Sequence, residues 1–367
     1  MTTLEEHEVE IDDRRSDDDE REIEPHRYSI SSYGADYPID SLVKRLRDGS
    51  IYVPSFQRGF VWDLKDASRF VESLLLGLPV PSIFLSKEAD SGKLLVVDGQ
   101  QRLSSLRYFY DGVWEPTRVA FSLRGVDKSF EGKTYKTLRD EDRRRLDDAI
   151  LHATVFKQDE PTDDESGVYQ VFERLNSGGK KLTPHEIRSA VFHSGPMRQL
   201  LQDLNKDEQW RQIYGPKDPR MRDQELILRF LAFYYDMDNY KSPLVFFLNR
   251  FMKKHKDLAP GLGAQMRTIF AGTVEAIFRA VGREAFRPSR ALNAAVFDSV
   301  MVGLARRLSV SPVPDHNQLK KAYTDLVAKD SQFLELCGRG TAGEERVKER
   351  LRLAGAAFEV DASHAKH

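Results

Sequence analysis

A buried strand turns directly into a helix at Asp98-Gly99-Gln100-Gln101-Arg102, and this corner is where the sequence is best suited to chemistry. The apolar run Leu94–Val97 predicts the strand, and a helix with an inward apolar face is predicted from Gln100 to Tyr110. A glycine at such a bend adopts backbone angles that other residues avoid. The N–H groups of a first helical turn and the helix dipole together favour phosphate. The corner therefore predicts polyphosphate binding.

The side chains of this corner strengthen that prediction. Arg102 carries a planar guanidinium that can make bidentate contacts with phosphate. Gln100 and Gln101 add amide donors, and Asp98 either orients one of them or holds a metal ion through water. The alternative is an ordinary strand–helix corner with solvated glutamine and arginine side chains, because this spacing is not a general phosphate motif. On the pattern alone both interpretations stay open.

A second cluster occupies the loop Pro54–Trp62. Its Gln57-Arg58 pair is bracketed by aromatic residues, a combination that suits a base or a ribose phosphate. For Arg58 we favour ligand binding. For the aromatic residues we favour packing against the core; they are Phe56, Phe60 and Trp62.

A third cluster follows a predicted helix that stops at Asn176. Gly179 and its neighbour leave main-chain N–H groups accessible in a loop, where Asn176 and Lys181 suit a phosphate or its magnesium ion. The next helix starts with a capping box, in which Thr183 and Glu186 each bond to the other's main chain. Capping alone is enough to account for both of these residues.

Composition excludes several classes of protein. Of 367 residues 40% are hydrophobic, and no apolar run is long enough to span a membrane, so we expect a soluble cytoplasmic protein. The single cysteine, Cys337, excludes a disulfide framework and a multi-cysteine zinc site. We expect it to be buried rather than nucleophilic. The P-loop motif G-x-x-x-x-G-K-[ST] does not occur in the sequence, which excludes a P-loop enzyme.

Charge and periodicity divide the chain into four parts. Residues 1–25 hold twelve acidic and three basic side chains and predict a disordered acidic tail, whereas the remaining residues carry a net charge of +7. Alternating strand and helix signals predict an α/β domain over 26–195, which carries the candidate nucleotide site. Helical stripes predict an all-α helical bundle over 196–358, and residues 359–367 are expected to be loose. The predicted fold class is therefore α+β.

Taken in order, these motifs resemble the DGQQR family, which includes the N-terminal domain of GmrSD modification-dependent restriction enzymes and SspE-like defence proteins. The resemblance covers roughly residues 36–250, and the ordered set is more specific than any one motif. The family is similar to the ParB/sulfiredoxin fold, whose partition proteins bind CTP, and this implies a ParB/sulfiredoxin-like N-terminal α/β domain. The segments that carry the resemblance are Val53-Pro54, Phe56-Gln57-Arg58, Trp62, Leu78-Pro79-Val80-Pro81, Val97–Leu103, Phe172–Asn176, Gly179, Leu182-Thr183, Glu186 and Arg188.

The resemblance also implies a site for a nucleoside triphosphate, which would be GTP, ATP or CTP, together with Mg²⁺. The residues it ties to catalysis of NTP hydrolysis are Asp98, Gln100, Gln101 and Arg102. The residues it implies in nucleotide binding are Gln57, Arg58, Gly99, Arg174, Asn176, Gly179 and Lys181. The implied metal ligands are Asn176 and Asp98.

The sequence departs from the restriction enzymes in one respect. Those enzymes carry a C-terminal nuclease domain with an H-N-H type metal site, and the histidines after Pro196 show no such arrangement. The implied function is an NTP-binding and NTP-hydrolysing component of bacterial DNA restriction or antiphage defence, with DNA and a separate nuclease as partners. Two alternatives stay open: a nucleotide-switched DNA-binding or regulatory module without significant hydrolysis, and a non-enzymatic scaffold. The sequence also leaves a homo-oligomer open.

Overall fold

The computed structural model describes residues 9–13, 28–53, 60–89, 91–160, 166–175, 183–192, 195–311 and 315–359. The chain divides into two compact units, Tyr28–His193 and a second unit formed by Met1–Arg27 together with Ser194–His367. The first unit holds a five-stranded sheet with helices, and helices dominate the second, so the predicted mixed α+β class is confirmed. Within the described residues, every helix is too short or too polar to cross a membrane.

Strands and helices alternate before residue 193, and helices dominate after it. The described strands are β1 (Ile11–Asp12), β2 (Ser29–Pro38), β3 (Ile51–Tyr52), β4 (Ile83–Lys87), β5 (Leu94–Asp98), β6 (Val113–Trp114), β7 (Val119–Ala120), β8 (Ile150–Glu160) and β9 (Leu292–Asn293). The described α-helices are α1 (Ile39–Arg47), α2 (Leu64–Leu75), α3 (Gln100–Asp111), α4 (Asp140–Asp148), α5 (Ser166–Leu175), α6 (Pro184–Val191), α7 (Pro196–Leu204), α8 (Glu208–Tyr214), α9 (Arg222–Asp236), α10 (Leu244–Lys254), α11 (Leu262–Val281), α12 (Ala294–Val310), α13 (His316–Thr324), α14 (Ser331–Leu336) and α15 (Glu344–Phe358).

The sheet of the first unit has the strand order β2-β8-β4-β5-β3. β4 and β5 pair antiparallel. β3 pairs with β5 in parallel, and Ile51 lies opposite Leu94. Because parallel strands end at the same edge of a sheet, the chain leaves β3 and β5 on the same side. That edge holds the Asp98–Arg102 corner.

The core of the first unit lies on both faces of β5. Leu94 and Val96 are buried in the main core, whose helical side is formed by α1, α2 and α3. Successive side chains of a strand point to opposite faces, and Leu95 and Val97 are also buried, on the side where α5 packs against β5. Burial on both faces makes β5 a rigid support for the corner at its end.

The second unit is built around α12. Its residues Ala294 to Ala305 are all buried, and the helix packs against α9, α11 and α15. A helix buried on every side is expected at the centre of a bundle rather than at its surface. The helical character predicted for this half of the chain is therefore confirmed.

The N-terminal segment corrects one prediction. Ile11 and Asp12 were predicted within a disordered acidic tail, but they form β1, which pairs in parallel with β9 of the second unit. The charge pattern missed this contact because a strand edge recognises the main chain and can hold acidic residues in place. Apart from Val9–Asp13, the predicted tail lies outside the described residues.

Cys337 is buried at the C-terminal end of α14, with 2% of its surface exposed. Burial raises the pKa of its thiol from 9.0 to about 12. The thiolate is the reactive form, so at pH 8 an aromatic disulfide reagent should react with the native chain at least about a thousandfold more slowly than with the urea-unfolded chain. Absorbance of the released thiolate gives both rates. Native and unfolded rates within tenfold of one another would contradict the burial of this thiol.

Candidate functional site

The corner between β5 and α3 is shaped by Gly99. Its φ of +98° lies in the left-handed region, and it serves as the N-cap of α3 without any side-chain capping bond among the described residues. A Cβ at this position would lie 2.3 Å from Cγ2 and 2.9 Å from Cβ of Ile83. Both the backbone angle and the close approach of β4 therefore require glycine here.

Arg102 closes the corner from inside the first turn of α3. Its Nη1 donates to the carbonyl oxygens of Pro81 at 2.8 Å and Ser82 at 2.5 Å, and its Nη2 donates to Oδ2 of Asp98 at 2.8 Å. The side chain is only 14% exposed. The alternative interpretation, with a solvated Arg102, is therefore wrong, because the main chain entering β4 supplies two acceptors within reach. Nε and one hydrogen of Nη2 have no partner among the described residues.

Gln101 joins α3 to the second sequence cluster. Its Oε1 accepts hydrogen bonds from the main-chain N–H groups of Val61 at 3.0 Å and Trp62 at 3.2 Å. Phe60 packs edge-on against Trp114 and Tyr108, with ring centroids 5.0 and 5.2 Å apart. The predicted packing role is confirmed for Phe60, and also for Trp62, whose ring lies 5.8 Å from that of Phe70. Gln101 thus fixes the loop end to the corner.

The two ends of the Pro54–Gly59 loop both reach this edge of the sheet. Val53 follows β3, which is parallel to β5, and Val61 is held by Gln101. The predicted ligand residues Gln57 and Arg58, and also Phe56, lie outside the described residues. The described residues on either side of this segment lie at the edge of the sheet that holds the corner.

Helix α5 leads to the third cluster. Oε1 of the buried Gln158 in β8 accepts from the N–H groups of Gly167 at 2.7 Å and Val168 at 3.2 Å, and so caps the start of the helix. At its other end Arg174 is exposed. The capping box at the start of α6 is confirmed: Thr183 N donates to Glu186 Oε2 at 2.5 Å, and Glu186 N donates to Thr183 Oγ1 at 3.2 Å.

The sequence-predicted site residues divide into three groups. Asp98, Gly99, Gln101 and Arg102 meet at the corner, and Gln100 is half-buried as the first residue of α3. Arg174 lies on the last turn of α5 and, within the described residues, makes no hydrogen bond or ion pair with that group. The others lie outside the described residues; they are Gln57, Arg58, Asn176, Gly179 and Lys181. Within the described parts of the chain, His, Cys, Asp and Glu form no group of three or more suited to a metal ion.

Sequence reasoning missed the partners that hold the corner. The carbonyl groups of Pro81 and Ser82 anchor Arg102, Ile83 fits against Gly99, and Gln158 caps α5. Pro81 belongs to the proline-rich segment of the family pattern, which was the one available signal. The other contacts are a main-chain carbonyl, a steric fit, and a glutamine side chain that bonds to main-chain N–H groups, and no sequence motif marks any of them.

Comparison with known proteins agrees with this architecture. Residues 39–193 match the family described as the GmrSD restriction endonuclease, N-terminal domain. An uncharacterized protein of Methanocaldococcus jannaschii, MJ0686, is 30% identical over 24% of this chain, and the match spans 18% of that protein's length. The family match begins in α1 and includes the whole corner, from β4 and β5 to α3, as well as α5 and α6. Residues 39–193, less than half of the chain, are therefore similar to the N-terminal domain of GmrSD restriction endonucleases.

Proposed function

We propose that this chain is an NTP-binding and NTP-hydrolysing component of a bacterial DNA restriction or antiphage defence system. In this proposal it acts on DNA together with a separate nuclease. The triphosphate binds at the Asp98–Arg102 corner, and the segments Pro54–Gly59 and Asn176–Lys181 supply the other contacts that the sequence predicts. The similarity of residues 39–193 to a restriction endonuclease N-terminal domain supports the assignment to restriction.

The observation that carries the proposal is the start of α3, where the N-cap residue is Gly99 and has no side chain to cap the helix. The first-turn N–H groups of a helix have no acceptor inside the helix and carry part of its positive dipole. Here Gly99 brings the main chain to the edge of the sheet, and no side chain among the described residues caps the turn. An anion that accepts from these N–H groups supplies the missing cap.

Arg102 supports this cradle in two ways. Its three hydrogen bonds join the ends of two neighbouring strands and hold the first turn of α3 in place. Within the described part of the chain, its remaining Nη2 hydrogen and its Nε–H make no hydrogen bond, so they can donate to a phosphate oxygen. We therefore assign Arg102 chiefly to positioning the cradle, with a secondary contact to phosphate.

The residues at the corner also fit a magnesium ion. Mg²⁺ in nucleotide sites usually keeps several waters and takes one or two carboxylates besides the phosphates. Asp98 has a 41% exposed side chain, and only its Oδ2 is used by Arg102, so Oδ1 can accept from a magnesium-bound water. When bound, the ion would neutralise phosphate charge. Asn176 is the second proposed ligand.

Nucleotide binding is tested by calorimetric titration of GTP, ATP and CTP with Mg²⁺ into the wild-type chain and three variants. We expect saturable binding of one nucleotide, and binding at least about tenfold weaker in Arg102→Ala because a charge-assisted contact and the clamp are both lost. Arg102→Lys keeps the charge but cannot bridge two carbonyls and a carboxylate. It should therefore bind almost as weakly as Arg102→Ala.

Arg107→Ala is the matched control, because Arg107 lies on the same helix with its guanidinium 5.3 Å from the ring centroid of Tyr108. It should bind nucleotide like the wild type. If none of the three nucleotides binds the wild-type chain, the proposal is wrong. If Arg102→Lys binds like the wild type, Arg102 contributes its positive charge to nucleotide binding and does not position the start of α3.

Hydrolysis is tested by magnesium-dependent release of phosphate. Equal release by the wild type and Arg102→Ala would remove the enzymatic part of the proposal. Tight binding without release would favour the second candidate, a nucleotide-switched DNA-binding or regulatory module. The extensive bonding of Arg102 to protein groups favours this candidate, because a clamped guanidinium suits a switch that senses a ligand. Titration with duplex DNA, with and without nucleotide, separates the two.

A further inference from the structure

The acidic segment Val9–Asp13 lies along one surface of the helical unit. β1 and β9 pair in parallel, with Ile11 opposite Leu292 and Asp12 opposite Asn293. Leu292 N donates to the carbonyl oxygen of Glu10 at 3.1 Å. Main-chain pairing of this kind accepts many sequences, since it uses no side-chain atoms. The edge of β9 is thus able to bind an extended peptide.

Asp13, the last described residue of this segment, bonds to a buried guanidinium group. Nη1 of Arg229 donates to Oδ2 of Asp13 at 3.1 Å, and the Arg229 side chain is only 2% exposed. Behind it, Asp298 accepts from Nη2 of Arg229 at 2.6 Å and from Nη2 of Arg350 at 3.4 Å. Arg350 and Asp298 are fully buried.

Asp13 adds a carboxylate to this cluster. Its side chain is 21% exposed, whereas the Arg229 side chain to which it bonds is only 2% exposed. Removal of the Asp13 carboxylate takes a charge-assisted hydrogen bond from a buried guanidinium group, and such a loss is costly. Arg229 therefore favours a carboxylate at this position of the segment.

We propose that β9 and Arg229 form a receptor for an extended acidic peptide, and that Val9–Asp13 occupies it as an intramolecular ligand. The edge of β9 holds the main chain, and Arg229 selects a carboxylate two residues beyond Ile11. Because the ligand is covalently attached, its effective concentration is high and it competes with any free peptide. This site lies in the helical unit and does not depend on the nucleotide site.

The test uses a chain that lacks residues 1–13 and a fluorescent, end-blocked peptide of residues 8–13. Fluorescence anisotropy should show saturable binding to the truncated chain and binding at least about tenfold weaker to the full-length chain, whose own segment fills the site. A peptide with Asp13→Asn should bind the truncated chain at least about tenfold more weakly, because its charge-assisted hydrogen bond is lost.

Glu10→Gln is the matched control peptide. Glu10 is exposed, and it contacts β9 through its main-chain carbonyl, so this change removes the same charge and should alter binding less than about twofold. Equal losses in the two peptides, or equal binding by the full-length and truncated chains, would overturn the proposal. If the truncated chain does not fold, the melting temperatures of the full-length variants decide: Asp13→Asn should melt below Glu10→Gln, and equal values would overturn the proposal.

Discussion

Gly99→Ala is expected to lower the free energy of unfolding of the α/β unit by about 3 kcal/mol. Part of the cost is backbone strain, since φ at this position is +98°. The larger part is steric, because the new methyl group would lie 2.3 Å from Cγ2 of Ile83. β4 and α3 would have to move apart, and the cradle at the start of α3 would open with them.

Hydrogen exchange with mass spectrometry, followed on peptides from residues 94–111 at increasing urea, measures this change within the unit concerned. Gly112→Ala is the matched control, because Gly112 caps the other end of α3 with a φ of +74° and open space around a new Cβ. It should cost about 1 kcal/mol, from backbone strain alone. If both substitutions cost the same, the contact with Ile83 has no part in the stability of the corner.

Asp298→Asn is expected to destabilise the helical unit by about 3–5 kcal/mol. Asp298 is fully buried between Arg229 and Arg350, and an amide leaves both guanidinium groups without their central carboxylate. Burial raises the pKa of the Asp298 carboxyl, and the two arginines oppose that rise. In this network each buried charge is stabilised by the opposite charge of its neighbours. Removal of one charge leaves the desolvation cost of the others without compensation.

Hydrogen exchange on peptides from α12 measures the loss. Asp325→Asn is the matched control, because its 2.7 Å pair with Lys329 is exposed and lies in the same unit. Exposed pairs contribute little, so the control should cost less than about 1 kcal/mol. Similar losses from the two variants would mean that Asp298 is dispensable to the network. A loss confined to Asp298→Asn supports the role of Asp298 in holding Arg229, the residue that bonds Asp13.

Local sequence patterns were sufficient to predict much of the secondary structure of the first unit. The apolar run of β5, the glycine after Asp98 and the inward face of α3 are adjacent in sequence, and their periodicities are set by the backbone itself. The same holds for the Thr183–Glu186 capping box, whose two bonds span three residues. The similarity of residues 39–193 to the GmrSD N-terminal domain likewise rests on an ordered set of short motifs. In each of these features, the residues that determine the local structure lie within one or two helical turns of the residues that adopt it.

The roles of individual side chains were decided by tertiary structure. Arg102 bonds to carbonyl groups twenty and twenty-one residues away, and Arg229 bonds to Asp13 across 216 residues. Carbonyl acceptors occur at every residue, so a sequence gives no sign of which one an arginine will meet. The sequence of residues 9–13 predicts a solvated acidic tail, because the positive charge that Asp13 meets, that of Arg229, is far away in the sequence and buried in the fold. Sequence alone determined which elements form, whereas packing of distant segments determined which polar groups remain available to a ligand.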